Sequence, residues 1–347
     1  MSLVRTYTSV SSLSDRVSLW SFHRDGYEVI NNDITYDPGQ HQIGEGSFAK
    51  VVPVTFKGRP AAYKQFKTCD DSAAQKAQTE AKLMSSLKHE NIVGFYAVIK
   101  TPETLGLLLE LMSGGSMTDL LHNQPHIHYY VNHVFSWAHQ ITKALSYIHS
   151  KHYLHRDLKP ANILLSANFR ILKLCDFGAS CNYRLEMTDD RGSPVYMAPE
   201  VFEGHVYDEK CDIYSFGVTL WEIVSRVSAA EGLDRTNPFA VQYSKIFNDH
   251  RPPKIIDIPE PLAELINRCW HRDPQQRPCA AEVKDIIKCL LVFYDHHNLP
   301  ILDLTTKRPV RSAEIMYVGT VYETERHAGR RKPKSSIRKM MSKCSIM

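Results

Sequence analysis

The chain has 347 residues, 43% hydrophobic and 23% charged, with a formal net charge of +4, which suits a soluble globular protein with a sizeable core in one large or two small domains. No opening stretch is apolar enough for a secretory signal or a membrane span, and the eight scattered cysteines contain no CxxC pair, which argues against a disulfide framework or zinc site and for a reducing, intracellular setting. Eight Lys and Arg, with no Asp or Glu, lie between Arg326 and Lys343; the rest of the chain is therefore mildly acidic, a distribution that speaks against a nucleic-acid-binding core.

Residues 1–35 are polar and rich in Ser, Thr and Asn, and are expected to form a flexible leader. Ser2 stands where N-myristoylation needs glycine, which excludes that lipid. From Tyr36 the pattern turns strand-like: "HQIGEGSFAKVVPVTFKGRPAAYKQF" holds two apolar segments joined by the turn signal "KGRP", which predicts a β-hairpin. "SAAQKAQTEAKLMSSL" has helical periodicity, and "GFYAVIK" with "TLGLLLELM" predicts a second strand pair. Past "SGGS" the character changes, and "YVNHVFSWAHQITKALSYIHS", "IYSFGVTLWEIVSRV", "PLAELINRCW" and "AAEVKDIIKCLLVFY" read as amphipathic or buried helices. The expectation is α+β: a small sheet-rich lobe with one helix, then a larger helical lobe.

Four motifs follow one another along this pattern. "IGEGSFAKV" brings Gly44 and Gly46 between two strands, where glycine lets backbone N–H groups approach phosphate oxygens; a plain glycine hairpin explains that stretch equally well. "AAYKQF" puts Lys64 on a strand among small and apolar neighbours, with Glu80 on the helix after it. "HRDLKPANILL" is far more specific, because a carboxylate (Asp157), a lysine (Lys159) and an amide (Asn162) at fixed spacing close into an apolar strand. "LCDFGAS" places Asp176 after a short strand, and "GSPVYMAPE" follows.

With these motifs in this order, residues 36–300 resemble a eukaryotic protein kinase, with an N-lobe over 36–112 and a C-lobe over 113–300. The resemblance implies a bilobal fold and phosphoryl transfer from ATP with Mg²⁺. It implies that Ile43, Gly44, Gly46, Val51, Glu110 and Met112 line the nucleotide site, and that Lys64, oriented by Glu80, pairs the α- and β-phosphates. By the same resemblance Asp157 accepts or orients the substrate hydroxyl proton, Lys159 steadies the transferring group, and Asn162 and Asp176 hold Mg²⁺. Asp212 and a Glu200–Arg277 pair resemble structural supports of the helical lobe.

"DLKPAN" matches the serine/threonine pattern, whereas "CDIYSFGVTLWEIVSR" and "RCWHRDPQQRP" are similar to the tyrosine-kinase-like branch. Within it, "LCDFGAS" and "MTDDRGSPVYMAPEVFEGHVYDEKCDIYSFGVTLWE" resemble the mitogen-activated protein kinase kinase kinases of the transforming-growth-factor-β-activated type. That implies MAP kinase kinases as substrates and an activating adaptor subunit as a partner. It also implies phosphorylation at Thr188, with Arg156 as the cation a phosphate there would meet, and a regulatory, substrate-shaping place for Ser193; a solvated Thr188 is the plainer reading.

Three positions depart from the pattern. Ala49 stands where a third loop glycine is usual, Tyr63 replaces an aliphatic residue before the lysine, and "SRVSAAEGLDRTNPFAV" forms a longer connection than in close relatives. Ala49 is expected to reduce nucleotide binding without abolishing it. No catalytic group is missing, so the competing class, a kinase-like scaffold that binds partners without turnover, stands only as the alternative. The five histidines of "LHNQPHIHYYVNHVFSWAH" do not form a known ligand set and read as structural; Cys175 beside Asp176 reads equally as a pocket thiol or as packing.

The chain closes on "CSIM", which fits a prenylation signal at Cys344, and the basic run before it would supply the second attraction that one lipid chain needs. This predicts a cytoplasmic kinase with peripheral attachment at the inner face of the plasma membrane. A basic docking or nuclear-import segment is the other reading of the same residues.

Overall fold

The computed structural model describes residues 34–35, 42–45, 49–68, 70–100, 105–182, 193–233, 237–247, 250–255 and 258–294. Gly46, Thr188 and Cys344, with residues 1–33 of the leader and the basic tail, lie outside these residues; Ile34 and Thr35, expected in the flexible leader, instead form a short strand because their backbone pairs with that of Thr55 and Phe56. Two units form. One takes in the described residues through Lys88 and Ile92–Met112; the other takes in His89–Asn91 and the described residues from Ser113 onward. The first is built on a sheet and the second is mainly helical, as the bilobal α+β expectation requires.

The first unit contains β1 (Ile34–Thr35), β2 (Gly44–Glu45), β3 (Ala49–Phe56), β4 (Arg59–Phe66), α1 (Asp71–Ser86), β5 (Phe95–Lys100) and β6 (Leu105–Glu110). The antiparallel sheet runs β1-β3-β4-β6-β5, and β2 pairs with β3. β3 and β4 form the predicted hairpin, with Phe56 opposite Arg59. Lys57 and Gly58 both have positive φ, 48° and 76°, the two-residue turn whose twist matches that of the strands it joins. Alternation along the strands gathers Val54, Phe56, Ala61, Tyr63, Tyr96, Ala97, Ile99 and Leu108 into one apolar cluster. α1 starts where the Asp70 carboxylate accepts a 2.7 Å hydrogen bond from the Ala73 N–H, a side-chain N-cap. Its buried stripe of Ala73, Ala77, Ala81 and Met84 packs on β5 and β6.

Tyr63, the residue that departs from the aliphatic pattern, is fully buried. Room for it comes from Gly106 on β6. A Cβ there would lie 2.3 Å from the Lys64 carbonyl oxygen and 2.4 Å from the Tyr63 ring. One of those neighbours is backbone and cannot rotate away. Gly106→Ala is therefore expected to destabilise the protein by about 1–3 kcal/mol, read as a lower midpoint in thermal denaturation; an unchanged midpoint would contradict this packing.

The second unit contains α2 (Val131–Ser150), β7 (Tyr153–Leu154), β8 (Ile163–Leu165), β9 (Leu172–Leu174), β10 (Cys181–Asn182), α3 (Pro199–Phe202), α4 (Lys210–Ser225), α5 (Pro238–Phe247), α6 (Glu260–Cys269) and α7 (Ala280–Tyr294). α2 packs on α7 and α4, and α4 on α6. α4 is buried from Cys211 through Ser225, as an all-round apolar helix must be. β7 pairs with β10 and β8 with β9; these ladders of two or three residues are too short to show a sequence period. The long connection after α4 is anchored at both of its described ends. Arg226 closes α4 in the left-handed conformation (φ 56°), and its guanidinium donates to the carbonyls of Leu120 (2.7 Å), Ile127 (2.7 Å) and Gln124 (3.0 Å). α5 then begins behind Asn237, whose side-chain oxygen accepts from the Ala240 N–H.

Candidate active site

In the first unit, neighbouring residues of β4 point to opposite faces. Tyr63 enters the apolar cluster, so Lys64 emerges on the other side, where its Nζ lies 2.7 and 2.9 Å from the two carboxylate oxygens of Glu80. The lysine side chain is 14% and the glutamate 3% exposed. A buried carboxylate gripping an ammonium with both oxygens holds it in one orientation. Val51 is paired with Lys64 across the β3–β4 ladder, Gly44 is paired with Val51, and the Ile43 N–H donates to the Val51 carbonyl. Ala49 lies in β3, buried and paired with Phe66, so its methyl belongs to the sheet interior. Glu110, at the end of β6, holds Gly94 twice: its own N–H donates to the Gly94 carbonyl (2.8 Å), and its carboxylate accepts from the Gly94 N–H (2.9 Å). Met112 is buried two residues on.

In the second unit the segment after β7 is anchored by Asp212, at the start of α4. Its carboxylate is wholly buried and accepts from the N–H of His155 (2.9 Å), the N–H of Arg156 (2.8 Å) and His149 Nε2 (2.8 Å). Burial alone would raise this carboxyl, but the His149 hydrogen bond and charge, with help from His155, outweigh it and hold Asp212 below the usual carboxylate range. Arg156 is buried with φ 64°; its Nε donates to the Ala179 carbonyl (2.6 Å) and its Nη1 to the Tyr207 hydroxyl (3.1 Å).

That anchoring presents Asp157. Its Oδ2 accepts from Lys159 Nζ (2.7 Å) and Asn162 Nδ2 (2.9 Å), and its Oδ1 from the Ser193 N–H (2.9 Å). Lys159 Nζ also donates to the Ser193 hydroxyl at 2.6 Å. Asn162 spends its amide nitrogen on the Asp157 carboxylate and carbonyl, which leaves its amide oxygen, a hard donor of the kind Mg²⁺ takes. Asp176 follows β9 in the left-handed region, φ 61° and ψ 72°, a conformation a non-glycine residue keeps only where its surroundings impose it. The next residue, Phe177, is buried with its ring 5.0 Å from that of His155. His155 Nε2 reaches the Cys175 carbonyl, and the Cys175 N–H donates to the Asn162 carbonyl. The half-buried Cys175 thus sits within the hydrogen-bonded frame of the loop.

The Glu200–Arg277 pair is buried and bidentate, with contacts of 2.6 and 2.9 Å, and Arg277 also donates to the carbonyls of His271, Lys210 and Arg272. The histidine-rich stretch has separate local uses. His122 contacts Glu222 (2.7 Å) and His133 closes a capping box with Tyr130. Burial, with the nearby Arg170 charge, pushes the His133 imidazole down to about 4. Among the described residues no cluster of His, Cys, Asp and Glu is suited to a metal.

The structure thus brings together Lys64 and Glu80 in one unit, and Asp157, Lys159, Asn162 and Ser193 in the other. Sequence reasoning passed over Tyr207 and His149, whose partners lie 51 and 63 residues away; no local pattern marks either. It also passed over Glu222, although a lone carboxylate inside "VTLWEIV" was a visible sign of a buried polar contact.

Comparison with known proteins agrees with this geometry. The family model described as "Protein kinase domain" matches residues 39–286. The chain is 36% identical over 263 residues to human "Mitogen-activated protein kinase kinase kinase 7", covering 75% of this chain and 42% of that protein. It is 37% identical over 243 residues to the Drosophila melanogaster protein of the same name, covering 69% and 35%. With Caenorhabditis elegans "Mitogen-activated protein kinase kinase kinase mom-4" it shares 34% over 280 residues, covering 78% and 51%. The chain therefore spans about half or less of the length of these curated relatives. A match over more than two thirds of the chain, on a fold carrying the Lys64–Glu80 pair and the Asp157–Lys159–Asn162 loop, shows that this chain belongs to the protein kinase family.

Proposed function

We propose that the protein transfers the γ-phosphoryl group of ATP to serine or threonine hydroxyls of MAP kinase kinases, acting as a MAP kinase kinase kinase. The observation that carries the reading is the Asp157 carboxylate. It is held by donors from Lys159, Asn162 and Ser193, so a proton acceptor is fixed in place before any substrate arrives. Lys159, bridging Asp157 and Ser193, would steady negative charge on the transferring group; a lysine here belongs to serine/threonine rather than tyrosine kinases. Lys64, held by Glu80, would pair the nucleotide phosphates. Ile43, Gly44, Val51 and Met112 would line the nucleotide, and Glu110 would contact it through its main chain, its carboxylate being engaged with Gly94.

The residues also fit a magnesium ion. Asn162 offers an amide oxygen and Asp176 a carboxylate, both hard oxygen donors, and Mg²⁺ takes only one or two such protein ligands beside phosphate and water. The ion, when bound, neutralises charge on the phosphates as they separate.

The test is direct. Purified full-length chain, given Mg-ATP and an inactive MAP kinase kinase as acceptor, is expected to place phosphate on serine or threonine of the acceptor's activation loop, mapped by mass spectrometry. A protein that binds ATP yet phosphorylates neither this acceptor nor itself would support the scaffold alternative.

A further inference from the structure

Among the described residues, β2 joins the sheet through β3 alone. Its two residues pair as Gly44 with Val51 and Glu45 with Lys50, and Val51 and Lys50 pair in turn with Lys64 and Gln65 of β4. Residues opposite each other on antiparallel strands share a face. Gly44 and Val51 therefore stand with Lys64, while Glu45, Lys50 and Gln65 occupy the other face. There Glu45 Oε1 accepts from Lys67 Nζ at 2.7 Å, and Glu45 Oε2 accepts from Gln42 Nε2 at 3.1 Å. Lys67 directly follows Phe66, the last residue of β4, so one side chain of β2 spans β3 and reaches the strand that carries Lys64. The hydrogen bonds from Lys67 and Gln42, with the Lys67 charge, hold the Glu45 carboxyl below the usual carboxylate range, so it is ionised at neutral pH.

We propose that Glu45 and Lys67 form a clasp that fixes Gly44 relative to Lys64, which makes both of them positioning residues for ATP. This rests on the nucleotide site of the phosphoryl-transfer reading above. That site draws its contacts from two strands that are not paired with each other: the main chain at Gly44 on β2 and the ammonium of Lys64 on β4. Lys64 is already held by Glu80. Gly44 has no side chain to hold it, and β2 is two residues long, a ladder too short to be rigid by itself. Glu45 is the next residue along, so anchoring its carboxylate at the end of β4 anchors the Gly44 peptide before the nucleotide arrives. Order already present in the free protein need not be imposed by the ligand, and affinity rises accordingly. The Lys67 and Glu45 side chains are 40% and 58% exposed, which limits the size of the effect. Exposed ion pairs are weak singly and stronger where several groups share one charge, as Lys50 and Gln42 do here around Glu45.

Calorimetric titration of the full chain with Mg-ATP tests this at low ionic strength, where exposed ion pairs are least screened. Glu45→Ala and Lys67→Met are each expected to raise the Kd for Mg-ATP about two- to fivefold, the upper part of the range for exposed pairs. The double variant is expected to bind no more weakly than either single one, because partners in one contact are non-additive. Exchanging the charges, Glu45→Lys with Lys67→Glu, rebuilds the pair and is expected to restore most of the affinity. The KM for the acceptor protein and the thermal midpoint are expected to stay at wild-type values. Charges acting on the phosphates through space would instead give opposite signs, tighter binding without Glu45 and weaker binding without Lys67, and that pattern overturns the clasp. Single variants indistinguishable from wild type overturn it too, as does a loss of affinity that comes with a lowered midpoint, which marks a merely structural role. A set of variants that binds Mg-ATP as expected, in a chain that phosphorylates neither the acceptor nor itself, fails the phosphoryl-transfer reading and leaves the clasp standing. A wild-type chain that does not bind Mg-ATP fails the nucleotide site, and the clasp with it.

Discussion

Asp157→Asn is expected to lower kcat for phosphoryl transfer by about 10²–10⁴-fold, the usual contribution of a positioned general base, while KM for ATP changes little. The carboxylate accepts hydrogen bonds on both oxygens: Lys159 and Asn162 approach Oδ2, and the Ser193 N–H approaches Oδ1. An amide can satisfy only one side. If its oxygen faces Lys159 and Asn162, its NH₂ meets the Ser193 N–H, donor against donor; turned over, it meets the other two donors. Either way the acceptor for the substrate proton is lost or misaimed. Lys64 and Glu80 keep their own ion pair, so ATP binding, followed by fluorescence or calorimetry, is expected to persist. Retention of more than about a tenth of wild-type turnover, outside that range, would remove Asp157 from the chemistry.

How much of this was legible in the sequence depended on range. α1, α2 and α4 were readable because their apolar spacing is local and because a buried helix leaves a long imprint. The Asp157–Lys159–Asn162 grouping was readable for the same reason, since all three fall within a few residues and the spacing is itself the signal. Contacts that stabilise the loop from a distance were not. His149 meets Asp212 across 63 residues and Arg226 reaches the Leu120 carbonyl across 106; histidine and arginine are common in surface positions, and nothing beside them indicates burial. Ala49 shows a different limit. The glycine motif marks it as a departure, and only the strand pairing with Phe66 shows that the position also opens β3, a long-range pairing that the motif alone does not reveal. Tyr63 is similar: its bulk is unremarkable only once Gly106 is known to lie across the ladder.

Asp212 yields the second large effect. Its buried carboxylate accepts from two backbone N–H groups and His149, and hydrogen bonds to a charged group are worth about 1.5–3 kcal/mol each. Asp212→Asn turns one acceptor oxygen into a donor facing one of these N–H groups. A cost of about 3 kcal/mol at neutral pH is expected from one such bond lost and one donor left buried without a partner. Activity should fall as well, because His155 and Arg156 lead directly into Asp157. The pH dependence has a definite sign. The folded carboxyl lies below its ordinary value, so its contribution to stability is full above the unfolded value of about 3.9 and is lost as pH falls through the lower, folded one. The stability gap between wild type and Asp212→Asn, from denaturant titrations, is therefore expected to stay constant from neutral pH down to about 4.5 and to shrink below about 4. A gap that widens on acidification would mean that burial, not the donors of His149, His155 and Arg156, dominates this carboxylate, and that it is held protonated.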